Sequence, residues 1–184
     1  MPTLLPFRDY SEHDVVNLFA FSGSLPLNKG TLVRIQGNGW LNTNEPIEMM
    51  GSQHLGATFN NTVSERYGVP SKLTTVTGGY DVPLGLTLYD VKETDENGEK
   101  LIYNPRKAAE MGVAVSGQAV PVLTKGIVLY SGSTLATDDP TVGATVYATA
   151  AGELSKTQAH SAAAVGKVLG TKDTNNHILL KIEL

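Results

Sequence analysis

The residue pattern closest to a chemical motif is Glu93-x-Asp95-x-Asn97-Gly98, which has the oxygen spacing that opens an EF-hand calcium loop. Such a loop needs a short Asp first and a bidentate carboxylate at its twelfth position. Here the first residue is Glu and the twelfth is Asn104, and the flanks are strand-like instead of helical. A solvated hairpin tip is the expected structure, with calcium the lesser reading. His13, His54, His160 and His177 are far apart and lack ligand spacing. No Gly-x-Ser-x-Gly nucleophile elbow occurs, and cysteine is absent, which removes thiol nucleophiles and zinc ribbons. Ala164-Val-Gly166-Lys167-Val168 has the Gly-Lys pair of a phosphate loop without its upstream Gly or its Ser/Thr, and Gly37-Asn-Gly39 lacks the third glycine of a dinucleotide site. Both read as turns. Paired carboxylates assemble in space and leave no trace in sequence. No catalytic residue, metal ligand or cofactor is therefore assigned.

Trp40, the single tryptophan, lies between a Gly-Asn-Gly turn and the Asn-rich stretch Asn42-Thr-Asn-Glu-Pro46. It either anchors that loop or presents a hot spot to a partner, a role in which Trp is enriched.

Charge excludes some partners. The net charge is −4, and among fourteen Lys and Arg only Arg106-Lys107 are adjacent. Tracking phosphates takes a concentrated basic stripe, so no nucleic-acid partner is expected. The opening Met1-Pro-Thr-Leu-Leu-Pro-Phe-Arg-Asp lacks the basic and apolar regions of a signal peptide. No run approaches the roughly 18 apolar residues of a membrane span. The expectation is a soluble protein made without Sec-type targeting, in which Asn60-Asn61-Thr62 is a chance glycosylation triplet.

Nineteen glycines and a charged fraction of 17% point to a turn-rich, mainly β chain. The closing strand alternates most cleanly: Ile178, Leu180, Ile182 and Leu184 on one face, His177, Lys181 and Glu183 on the other, with Leu179 the exception. Residues 86–96 and 99–103 flank Asn97-Gly98, predicting a type I′ hairpin with Glu93 opposite Ile102, Thr94 opposite Leu101, and Tyr89, Val91 and Ile102 facing inward. Asn104-Pro105 and Gly112 bracket a short helix at about 105–111. Pro121 predicts an edge position or a bulge. Gly30, Gly85, Gly126 and Gly143 each precede a strand-like run, at spacings too irregular for a repeat architecture. Residues 15–21 read as a strand, against a helix opened by Ser11. Residues 1–10, with two prolines, suit an extended arm whose Leu4, Leu5, Phe7 and Tyr10 are candidate interface residues together with Trp40. The chain divides into an N-terminal arm and loop-rich extension, 1–80, and a β core, 81–184; the first segment either stands apart or belongs to the same domain.

Gln118 to Val128, Val142-Gly-Ala-Thr-Val-Tyr147, the turn and strand starting Gly152-Glu-Leu-Ser, Val165-Gly-Lys-Val-Leu-Gly170 and Ile178 to Leu184 together resemble the capsid cement, or decoration, proteins of tailed bacteriophages. The likeness is strongest over residues 117–184 and weaker before them. It implies a small antiparallel β-barrel or β-sandwich without catalytic residues. It further implies binding to the outside of assembled major capsid protein, stapling of neighbouring capsomers, and a homo-oligomer with a trimer favoured. The location would be the outer capsid surface of the virion, after synthesis in the host cytoplasm. Two other classes compete: a carbohydrate- or receptor-binding β module using Trp40 and tyrosines, and a small hydrolase assembled from the dispersed histidines and acids.

Overall fold

Short runs of alternating buried and exposed residues, broken by Gly, Pro and Asx turns, set the architecture. The computed structural model describes residues 2–7, 9–36, 72–78, 80–159 and 161–184. One sheet has six antiparallel strands in the spatial order β1 (Thr3–Pro6), β9 (Lys125–Ser131), β13 (Ile178–Glu183), β12 (Ala164–Gly170), β10 (Thr145–Ala148) and β11 (Leu154–Ser155). A second has five, in the order β2 (Val15–Val16), β8 (Val122–Leu123), β5 (Gly85–Thr87), β3 (Leu32–Gln36) and β4 (Lys72–Thr75). A two-stranded parallel ribbon joins β6 (Asp90–Lys92) to β7 (Val113–Val115).

The two large sheets share one core. Leu4, Val128, Tyr130, Ile178, Leu180 and Ile182 from the first sheet and Leu32, Leu86 and Leu123 from the second belong to a single buried cluster. Burying each such leucine or isoleucine side chain contributes about 1.5–3 kcal/mol. The mainly β expectation holds. Of the expected barrel or sandwich, a closed barrel is not seen: neither sheet closes on itself among the described residues.

Thr124 alone separates β8 from β9, and there the chain passes from one sheet to the other. Its N–H donates to the Asp14 carbonyl at 2.9 Å, and its carbonyl accepts from the Leu184 N–H at 3.0 Å. The crossing thus binds an N-terminal segment to the last residue of the sequence.

Leu4 lies opposite Tyr130, and β1 is an outer strand of the six-stranded sheet. Extended conformation at the start of the chain is observed, but in a docked strand rather than a free arm. Residues 15–21 are strand only at Val15–Val16; Ala20 and Phe21 make single bridges to Ala119 and Leu73. Pro121 sits just before β8, itself an interior strand, so its missing N–H falls outside the ladder and neither edge nor bulge is needed. Gly30 and Gly143 take left-handed turns (φ 84° and 85°) just ahead of β3 and β10, as the glycine pattern suggests.

Helix α1 (Pro105–Met111) spans the expected residues. The Asn104 side chain accepts from the Lys107 N–H, Pro105 opens the first turn, and Gly112 ends it at φ 62°. A second helix, α2 (Ser133–Asp138), was not expected. Its first turn has no local side-chain cap; instead the distant Glu153 carboxylate accepts from Thr134 N–H and from the hydroxyls of Ser133 and Thr134.

The turn at Asn97-Gly98 is where the sequence puts it but is not type I′. Only Gly98 has a positive φ, 84°. The partner register differs by one residue: Thr94 bridges Lys100, and the Leu101 N–H donates to the Glu93 carbonyl. Residues Leu101–Tyr103 then turn into a 3-10 helix, which rotates Leu101 inward and leaves Ile102 43% and Tyr89 47% exposed. Val91 is buried as expected, and Leu101 is buried where Tyr89 and Ile102 were expected to be.

Candidate functional site

Turn chemistry engages the acidic side chains that the sequence offered for catalysis or metal binding. Asp95 Oδ1 accepts from the N–H groups of Asn97 and Glu99, both at 2.8 Å, and Oδ2 accepts from Lys107 Nζ. The Lys107 bond, followed by the backbone donors, holds the Asp95 carboxyl below its usual range; Asp95 in turn raises Lys107. Both oxygens of the motif's central acid are therefore taken by the protein itself. Glu93 lies 3.4 Å from Lys100. The cleft of about 320 Å³ beside this hairpin, lined by Leu25, Pro26, Met111 and residues 92–96, contains these engaged acids.

Asp173 does the same at the β12–β13 turn. Its Oδ1 accepts from Asn175 N–H at 2.8 Å and His177 N–H at 2.7 Å, and its carboxyl is held low chiefly by the His177 N–H. His177 Nδ1 is 3.6 Å from Asp173 Oδ2. His13 lies in an exposed turn; His54 and His160 fall outside the described residues. Among the described residues no group of three or more His, Asp or Glu is placed to hold a metal ion.

Tyr130 is fully buried, and its Oη accepts from the Leu154 N–H at 3.2 Å. Burial pushes its phenol well above the ordinary tyrosine value, so it stays neutral. With β11 tethered to α2 by Glu153 on one side and by Asp138, which accepts from Ser155 Oγ and Lys156 N–H, on the other, this end of the sheet is a braced scaffold.

Surface apolar groups are the remaining candidates. Leu5 and Phe7 are exposed, Phe7 to 57%, whereas Leu4 is completely buried in the core and presents no surface. Tyr10 is half-buried; its hydroxyl donates to the Ile127 carbonyl at 2.7 Å and its ring lies against Gly126. Trp40 falls outside the described residues. Residue-by-residue reading of the sequence missed Leu129 and Leu179, which join Leu5 in one row across three strands. The break in alternation at Leu179 was the available signal. No helix among the described residues is long and apolar enough to cross a membrane.

The family model of phage cement proteins, described as structural cement protein (E217 gp24/Pam3 gp6), matches residues 42–184. Comparisons with curated proteins and with solved structures gave no match. The match begins well before the segment in which the sequence likeness was strongest and includes both helices, the parallel ribbon and most of the two sheets. This is a family of structural, capsid-stabilising phage proteins, located in the virion capsid and not known as enzymes. The likeness thus extends over most of the sequence, and the chain belongs to the structural cement protein family of phages.

Proposed function

We propose that this protein binds the outer surface of the assembled major capsid shell and ties neighbouring capsomers together, acting by adhesion without catalysis. The observation that carries the reading is the cement-family match over residues 42–184. A modest interface suffices for such a role when it is repeated by many copies on one shell, because linked contacts reinforce one another. The chain offers rigid material for it: two sheets around one core, which we read as a sandwich, and hairpin tips locked by Asp95 and Asp173. We also read the described part of residues 1–80 as continuous with 81–184, since β1 pairs with β9 and β3 with β5. A trimer is the proposed assembly on the shell.

The test uses particles assembled without this protein. Adding the purified chain should decorate them and raise the temperature at which they release their contents; a saturating addition that neither binds nor shifts that temperature contradicts the proposal. Native mass spectrometry of the free protein, and particle stoichiometry, check the trimer.

A further inference from the structure

One face of the six-stranded sheet is core; the opposite face carries a row of leucines. Strand alternation sends Leu4, Val128 and Leu180 inward and Leu5, Leu129 and Leu179 outward. The outward three are in register: Leu5 opposite Leu129, and Leu129 opposite Leu179. Beyond Leu179 stands Gly170 of β12, where a Cβ would lie 3.2 Å from Leu179 Cβ. Leu5 and Leu169 are 40% and 41% exposed, and Leu129 and Leu179 are half-buried. Solvent-facing positions of an antiparallel sheet are normally polar, and a contiguous apolar patch on them marks an interaction surface.

Charge on the adjoining rows points to the partner. Lys181 lies directly opposite Lys167 across β13 and β12, an arrangement that destabilises a strand pair. Lys125 stands opposite Glu183, and Glu183 is bound to Lys181 at 3.0 Å. Lys181 first, then Lys125 and Lys167, hold the Glu183 carboxyl below its usual range. Three lysines thus surround a single acid, in a chain whose net charge is −4. Glu183 offsets part of the like-charge cost of Lys167 and Lys181 in the free protein, and an anionic partner would relieve the rest.

We propose that the outer face of β1, β9, β13 and β12 docks on an acidic segment of the capsid protein. Apolar side chains of that segment cover Leu5, Leu129 and Leu179, and its carboxylates neutralise Lys125, Lys167 and Lys181. This rests on the shell-binding reading above. Charge complementarity favours this occupant over a second copy of the chain, because a twofold contact through the patch would bring two lysine rows together.

Binding of the full-length chain to particles lacking it tests the proposal, with Lys167→Glu/Lys181→Glu, Lys167→Ser/Lys181→Ser, Leu5→Ser/Leu179→Ser and, on the separate α1 lobe, Tyr103→Ser. Thermal unfolding and sedimentation of each variant accompany the titration. The lysine and leucine pairs should each lose about tenfold or more in affinity, the charge reversal most. Binding of the unaltered chain should weaken as salt rises from about 0.05 to 0.3 M, and Tyr103→Ser should bind normally. Normal binding, within about twofold, by folded lysine variants overturns the docking face while leaving shell binding intact. Loss of self-association in those variants, with particle binding retained per subunit, overturns it in favour of a copy-to-copy contact. Failure of the unaltered chain to bind removes the shell-binding reading and this inference together. The serine pair at 167 and 181 keeps the test decisive if the leucine pair does not fold.

Discussion

Asp95 and Asp173 close two different hairpin tips with the same four hydrogen bonds. In each, the Asp N–H donates to the carbonyl four residues on, Oδ1 accepts from the second and fourth following N–H groups, and the Asp carbonyl accepts from the third. The third following residue is left-handed in both, Gly98 at φ 84° and Asn176 at φ 62°. The two differ in what lies behind them: Asp95 is sealed under Lys107 from α1, while Asp173 is itself half-exposed beside His177.

That difference sets an order of mutational cost. Asp95→Ala removes the turn bonds and strands Lys107, whereas Asp173→Ala removes turn bonds that water replaces more readily. Urea unfolding should give a lower midpoint for Asp95→Ala than for Asp173→Ala, and an equal or reversed order would refute the account of these tips. Gly98→Ala meets no neighbouring atom, so only its left-handed backbone is penalised, by about 1 kcal/mol.

Acid should unfold the protein through identifiable groups. The carboxyls of Asp81, Asp95, Asp173 and Glu183 are held below their ordinary values. The unfolded chain therefore takes up protons at higher pH than the folded one. Their stabilisation is complete above the ordinary carboxylate range and disappears as pH falls through the depressed folded values. Lys107, raised by Asp95, has the opposite dependence: its contribution is complete below the ordinary lysine range and is lost as pH rises through its folded value. Urea midpoints measured from about pH 7 to 3 should fall, and Asp95→Asn should shallow that slope. An unchanged acid limb in Asp95→Asn would show that this carboxylate is not linked to folding.

Leu4 and Leu5 are neighbours with opposite fates, one buried in the core and one on the outer face. Leu4→Ala should cost about 2–5 kcal/mol, and Leu5→Ala about 0.5 kcal/mol or less, both read from chemical denaturation. Similar small values for the two would mean that β1 is not docked in solution.

Tyr130→Phe keeps the ring in the core and removes the acceptor for the Leu154 N–H. An unsatisfied buried donor costs about 1–3 kcal/mol, and the loss should centre on β11. Hydrogen exchange at Leu154 should accelerate in the variant relative to Leu180; unaltered exchange there would contradict the bracing role.

Local signals were legible and distant partners were not. The closing strand could be read because Ile178, Leu180 and Ile182 alternate within six residues, and α1 because Asn104, Pro105 and Gly112 carry its start and stop in the sequence. Helix α2 escaped because Glu153, which satisfies its first turn, lies far along the sequence, just ahead of β11. The Asn97-Gly98 turn was located correctly, yet its type was decided by Asp95, whose carboxylate makes a one-residue-longer loop the better-bonded choice. Parallel pairing of β6 with β7 and docking of Leu4 beside Tyr130 join segments too far apart for any local pattern to report. The same holds for the outward leucine row: one strand contributed only the anomaly of Leu179, and the row exists only once the register is known.

Adhesion to the outside of the capsid at capsomer junctions is tested by electron cryomicroscopy of particles with and without this protein. Added density is expected on the outer surface where capsomers meet, into which the two-sheet fold fits with the β1, β9, β13 and β12 face toward the shell. Density confined to the interior, or identical maps from the two preparations at saturating protein, would contradict it.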